Sequence, residues 1–155
     1  MSKKQLQLVI FGINAELYAI DTQGVKEISR MEDITPIPRT KPYIEGILNL
    51  RGQIIPVVCL RKRLGLPERV DDKETRIIII DFDELRVGLI VDFVSEVITL
   101  IDSTLIPAPE VATAAYVAGL CHYNNNLVIV INIEALFAEQ HEIVAEIGVG
   151  IYAKQ

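Results

Sequence analysis

Tryptophan is absent from the chain, cysteine and histidine occur twice each, and aromatic residues make up only 6% of 155 positions. Cys59 and Cys121 stand alone, with no CxxC and no histidine at ligand spacing, which excludes a zinc site and a disulfide framework. His122 and His141 lack the Ser, Cys or Asp neighbourhood of a nucleophile system, so no catalytic histidine is expected. There is no glycosylation sequon, no phosphate-binding loop, and no third glycine after Gly148-Val149-Gly150 to make a dinucleotide turn. Apolar runs such as residues 77–80 and 127–131 are four or five residues long, against about 20 for a membrane span. The N-terminus alternates polar with apolar residues and lacks the apolar core of a secretory signal. A soluble cytoplasmic protein, without direct membrane insertion, is expected.

Charge is also in short supply. Charged residues are 23% of the chain, and 15 basic against 21 acidic residues leave a formal charge of −6. An acidic balance argues against nucleic acid or an anionic membrane as the main partner. Asp81, Asp83 and Glu84 read as a solvated hairpin turn, because no glycine-containing calcium loop accompanies them. Arg61-Lys62-Arg63, the densest basic stretch, reads as a solvated helical face. Arg51 sits at a hairpin tip, where it is either a solubilising turn residue or a forked donor for a carboxylate. Neither a metal, a cofactor nor a catalytic set is expected.

What the chain has is apolar β-formers: half of it is hydrophobic, in short Val/Ile-rich segments punctuated by Gly, Asn, Asp and Pro, the rhythm of a mainly β protein. Residues 7–13 and 17–20 flank Asn14-Ala15-Glu16 as a hairpin, and residues 76–81 and 86–91 flank Asp83-Glu84 likewise. Short helices are expected after each, over 22–29 and 92–98. Sliding the chain over itself reveals a repeat. At an offset of 69, Val25 falls on Val94, Glu27 on Glu96 and Ile28 on Val97; at 73, Tyr43 falls on Tyr116, Gly46 on Gly119 and Leu64 on Phe137 without a gap. Arg51-Gly52 is replaced by Asn124-Asn125, and Gly and Asn tolerate positive φ. Two β subdomains follow, near 1–69 and 70–155, either as small barrels or as one sandwich. Pro56 implies an edge strand or a bulge, and residues 35–42 and 106–109 are extended connections. The tail, 139–155, reads equally as a helix or a loose extension.

The surplus of apolar residues over what two small barrels can enclose points to an interface rather than an active site. A small-barrel nucleic-acid or ligand binder is the competing class, disfavoured by the negative charge and the few aromatics.

The segment Tyr43-Ile44-Glu45-Gly46-Ile47-Leu48-Asn49-Leu50-Arg51-Gly52-Gln53-Ile54-Ile55-Pro56-Val57-Val58-Cys59-Leu60-Arg61 resembles the signature of the CheW family of bacterial chemotaxis adaptors. Tyr18-Ala19-Ile20-Asp21, Val25-Lys26-Glu27-Ile28, Val87-Gly88-Leu89-Ile90-Val91-Asp92 and Asn132-Ile133-Glu134-Ala135-Leu136 resemble its other blocks, so the likeness spans residues 6–138. The resemblance implies two five-stranded SH3-like β-barrels and no enzymatic activity or cofactor. It implies a scaffold that joins the cytoplasmic tips of methyl-accepting chemotaxis receptors to the regulatory domain of the histidine kinase CheA, recruited to membrane receptor arrays. By motif, Val25, Glu27, Gly46 and Arg51 match receptor-coupling positions, with Val9 and Ile28 as apolar neighbours in that groove and Val94 as the contribution of the second copy. Kinase-contacting residues remain unassigned. The chain has no room for a kinase or receiver domain, so a stand-alone adaptor is expected.

Overall fold

Residues 8–11 and 77–80 are buried at every position. A strand can bury both its faces only when each faces a separate core. The computed structural model, which describes residues 4–82, 85–109 and 116–137, supplies those cores through ten strands in two five-stranded sheets. The strands are β1 (Gln5–Ile13), β2 (Glu16–Asp21), β3 (Val25–Arg30), β4 (Ile44–Leu50), β5 (Gln53–Cys59), β6 (Arg76–Phe82), β7 (Leu85–Val91), β8 (Phe93–Ile101), β9 (Val117–Tyr123) and β10 (Asn126–Ile131). Single helical turns, α1 (Leu60–Arg63) and α2 (Ile133–Leu136), follow β5 and β10.

Sheet I runs β3-β6-β7-β5-β4 and sheet II runs β8-β1-β2-β10-β9. The two orders are the same once each strand is replaced by its counterpart in the repeat. The first hairpin of each half, however, lies in the sheet built from the rest of the other half. The boundary expected near residue 69 therefore separates the copies along the chain and not the sheets in space. Self-similarity reports which segments are alike, and pairing is decided by where their apolar faces are covered. Each sheet curls and closes on itself. The chain beyond β3 reaches Thr35, which exchanges both backbone hydrogen bonds with Ile47 of the opposite edge strand at 2.9 Å, and Ile106 does the same with Leu120 at 2.8 Å. The two closed sheets fit the expected pair of SH3-like barrels, one subdomain each.

Three apolar clusters result. Ile77 and Ile79 join Leu48, Leu50, Ile55 and Val57 inside sheet I, while Leu8 and Ile10 join Ala19, Val128 and Val130 inside sheet II. The alternate residues, Val9 and Phe11 of β1 with Ile78 and Ile80 of β6, meet Leu60, Leu136 and Phe137 in a central cluster between the sheets.

Two expected helices are strands. After a 3₁₀ turn at Thr22–Gly24, residues 25–30 form β3, and residues 93–101 form β8. Val25 pairs with Ile80 and Glu27 with Ile79, leaving Lys26 as an extra bulged residue; Ser95 is skipped in the same way between Val94 and Glu96. The bulge places residues three apart on one face, and that spacing imitates a helix. Pro56 meets its expectation through a bulge and not an edge, since β5 lies between β7 and β4 while the β4–β5 ladder skips Glu45, one residue pair from the proline. It pairs with Ile47, whose own N–H and C=O turn away to Thr35. The proline nitrogen thus faces the β7 side, where the ladder begins only at Val57. The hairpin tips behave as expected: Arg51 and Gly52 (φ 52° and 82°), and Asn124 and Asn125 (48° and 63°), are left-handed, as a two-residue turn matching strand twist requires.

Candidate functional site

Cross-strand partners share a face, and this rule sorts the residues expected to form a groove. Val25 lies opposite Ile80 and Ile28 opposite Ile78; Val94 lies opposite Phe11 and Val97 opposite Val9. All four of those partners belong to the central cluster. Val25, Ile28, Val94 and Val97 therefore stand on the seam-facing sides of the two edge strands β3 and β8. Val25 and Val94 pack against the central cluster, whereas Ile28 is 39% and Val97 51% exposed. The seam thus has an apolar rim built from both copies. Val97 was not singled out from the sequence, although the 69-residue offset that aligns it with Ile28 marks it.

Val9 does not belong to that rim. It is 1% exposed beside its cross-strand partner Val97, in the central cluster, so it supports the surface and cannot touch a partner. Gly46 is also buried. It has φ 147°, and a Cβ there would lie 2.0 Å from the Thr35 carbonyl oxygen. Its place in the motif reflects the close approach that closes sheet I.

Glu27 lies opposite Ile79, an interior residue of sheet I, and so faces the barrel side rather than the seam. Arg51, from the β4–β5 turn, donates through both Nη atoms to the Glu27 carboxylate. β3 and β4 are the two edges of sheet I, and the pair bridges them. The carboxylate bond raises the Arg51 guanidinium above its usual range. Arg51 nevertheless keeps 70% of its side chain exposed, leaving donors for an incoming acceptor. In sheet II, Glu96 holds the corresponding strand position and accepts instead from the Tyr123 hydroxyl.

Arg61-Lys62-Arg63 is not a solvated face. Arg61 and Asp92 are each 8% exposed, with Nη2 of Arg61 3.2 Å from Oδ2 of Asp92. Arg61 also donates to the Pro67 carbonyl and to Asn14. Asp92 accepts from the Asn14 N–H at 2.9 Å and pairs with Arg69 at 2.8 Å. It sits where the chain passes from sheet I to sheet II and ties the β1–β2 turn to α1. Burial pushes its carboxyl up, but the hydrogen bonds from Arg61, Asn14 and Arg69 prevail and hold it below the usual carboxylate range. Lys62 bridges Glu45 and Glu68, and Arg63 donates to the Leu136 carbonyl.

Neither cysteine is activated for covalent chemistry. Burial raises both the Cys59 and Cys121 thiols, which keeps them protonated and weakly nucleophilic. Asp81 is paired with Lys26 and Arg86. Among the described residues, no group of three or more His, Cys, Asp or Glu converges as a metal site, and no helix is long and apolar enough to cross a membrane. Asp83, Glu84, His141 and the tail beyond 137 lie outside the described residues.

Comparison with known proteins agrees with this architecture. The family model of the CheW-like domain matches residues 7–141. The chain is 35% identical over 147 residues to the chemotaxis protein CheW of Treponema pallidum, covering 90% of this chain and 86% of that protein. It is 45% identical over 104 residues to the chemotaxis protein CheW of Bacillus subtilis, covering 67% of each. The crystal structure of the scaffolding protein TtCheW from Thermoanaerobacter tengcongensis superposes with a TM-score of 0.80 at 40% identity, covering 86% of this chain and 93% of that one.

Proposed function

The chain belongs to the CheW family, and from that premise we propose that it is a non-enzymatic adaptor joining the cytoplasmic tips of methyl-accepting chemotaxis receptors to the regulatory domain of the kinase CheA. The observation that carries the receptor half of this reading is the exposed apolar rim. Val25, Ile28, Val94 and Val97 line one seam from two strands, and a seam of that kind suits an amphipathic helix that lays its apolar stripe into a groove. Receptor tips are helical hairpins with apolar residues at helical spacing. Arg51, already oriented by Glu27, supplies a charged contact outside the seam, on the barrel side of sheet I. Val9 and Gly46 contribute by holding the strands in place.

Catalysis is not part of this role. The protein acts by holding receptor and kinase together, so that a change in receptor conformation is transmitted through contacts that differ between its states. Recruitment to membrane arrays follows from the receptor contact, since no element of the adaptor has to enter the bilayer. Calorimetric titration against a receptor cytoplasmic fragment, and separately against a CheA regulatory domain, tests the proposal. Saturable binding to both is expected. Binding to neither returns weight to a small-barrel binder of some other ligand.

A further inference from the structure

Arg63 occupies a singular position in the repeat. The 73-residue offset superposes Tyr43 on Tyr116 and Arg63 on Leu136. The guanidinium carbon of Arg63 lies 6.0 Å from the ring centroid of Tyr43 and 5.9 Å from that of Tyr116, while Nη2 donates to the Leu136 carbonyl at 2.7 Å. The cation thus stands between two equivalent rings and is bonded to the backbone of its own counterpart, at the place where the two subdomains meet. Tyr43 and Leu136 are members of the central cluster, and Tyr116 packs against it.

Stability alone does not account for an arginine here. The equivalent position is an apolar leucine, buried without polar cost. Arg63 and Tyr43 instead bury polar atoms, Nε and the hydroxyl, that find no hydrogen-bond partner, which an apolar pair would avoid. What arginine adds is direction. A planar fork that donates to a fixed carbonyl and lies between two rings constrains orientation as a greasy contact does not.

We propose that Arg63 is a positioning residue that sets the angle between the two subdomains, and with it the spacing of the two walls of the seam, Val25 with Ile28 on one side and Val94 with Val97 on the other. The consequence for receptor coupling rests on the function proposed above; the consequence for subdomain orientation does not. The test uses the full chain and Arg63→Met, which keeps a flexible filler between the rings and removes the fork. Residual dipolar couplings of backbone amides are fitted for sheet I and sheet II separately and then together. In the parent, one alignment tensor fits both sheets. In Arg63→Met each sheet fits its own coordinates as before, but a common tensor fails, and affinity for the receptor fragment falls ~5-fold or more. A common tensor that still fits both sheets in the variant overturns the proposal. If Arg63→Met does not fold, Arg63→Lys, which keeps the charge and loses the planar fork, carries the same comparison with the same refuting result. Failure of the parent to bind the fragment removes the coupling reading and leaves the tensors to decide the role of Arg63 independently.

Discussion

Replacing Asp92 by Asn keeps the shape of a buried side chain and deletes its charge. Arg61 is then left 8% exposed with no counter-ion within hydrogen-bond reach other than the lost one. The new amide NH₂ also competes with the donors that converge there, from Arg61, Arg69 and the Asn14 N–H. Removing one member of a buried, hydrogen-bonded pair costs about 3–5 kcal/mol. In a domain of this size each kcal/mol lowers the midpoint by about 2–4 °C, so Asp92→Asn should melt about 6–20 °C below the parent. Because the folded-state carboxyl is depressed, its contribution is fully present above the unfolded value near 4 and fades as pH falls through the lower folded value. The gap between variant and parent is therefore constant from pH 6 to 8 and narrows below about pH 4. Thermal and urea unfolding followed by circular dichroism measures both effects. A loss below about 2 °C, or a gap that widens in acid, would refute the assignment. The double variant Arg61→Met with Asp92→Leu should recover most of the loss, since the cost lies in the stranded charge.

Arg51→Ala should weaken receptor-fragment binding with little change in melting temperature, and Glu27→Ala should do the same. The double variant should be no worse than either single one, and additive losses in calorimetry would show that the two residues act separately. Val97→Glu, on the exposed rim, should abolish fragment binding while leaving the fold intact; retained affinity removes the seam from the site. Gly46→Ala should cost about 3 kcal/mol or more, through its unfavourable φ and the clash with Thr35, and amide exchange at Thr35 and Ile47 reports whether the closing bridge has opened.

The sequence alone revealed the strand rhythm, the hairpins, the left-handed tips at Arg51 and Asn124, and the twofold repeat, because each is written in local residue choice. Spatial partners were less legible. Arg61 meets Asp92 across 31 residues and Arg63 meets Leu136 across 73, so a basic run in sequence looked solvated when each member was already engaged. Bulges at Lys26 and Ser95 gave β3 and β8 a helical spacing. Val9 was placed in the groove by its family motif, and only its burial in the central cluster shows that it lies out of a partner's reach. Glu27 and Arg51 emerged separately by family motif, but their ion pair depends on the curl of sheet I, which brings opposite edges together.

The exchange of hairpins between the halves has a consequence for how the chain is made. All five strands of sheet I lie between residues 25 and 91 and can assemble as soon as that length has left the ribosome. The β1–β2 hairpin emerges before any of them, yet its pairing partners β8 and β10 are synthesised after all of them; Gln5 must wait for Ile101. Pairing over so long a separation is slow to form. Until it does, a strand apolar on both sides waits without a sheet to join, which makes the N-terminal hairpin the segment of the nascent chain most exposed to aggregation.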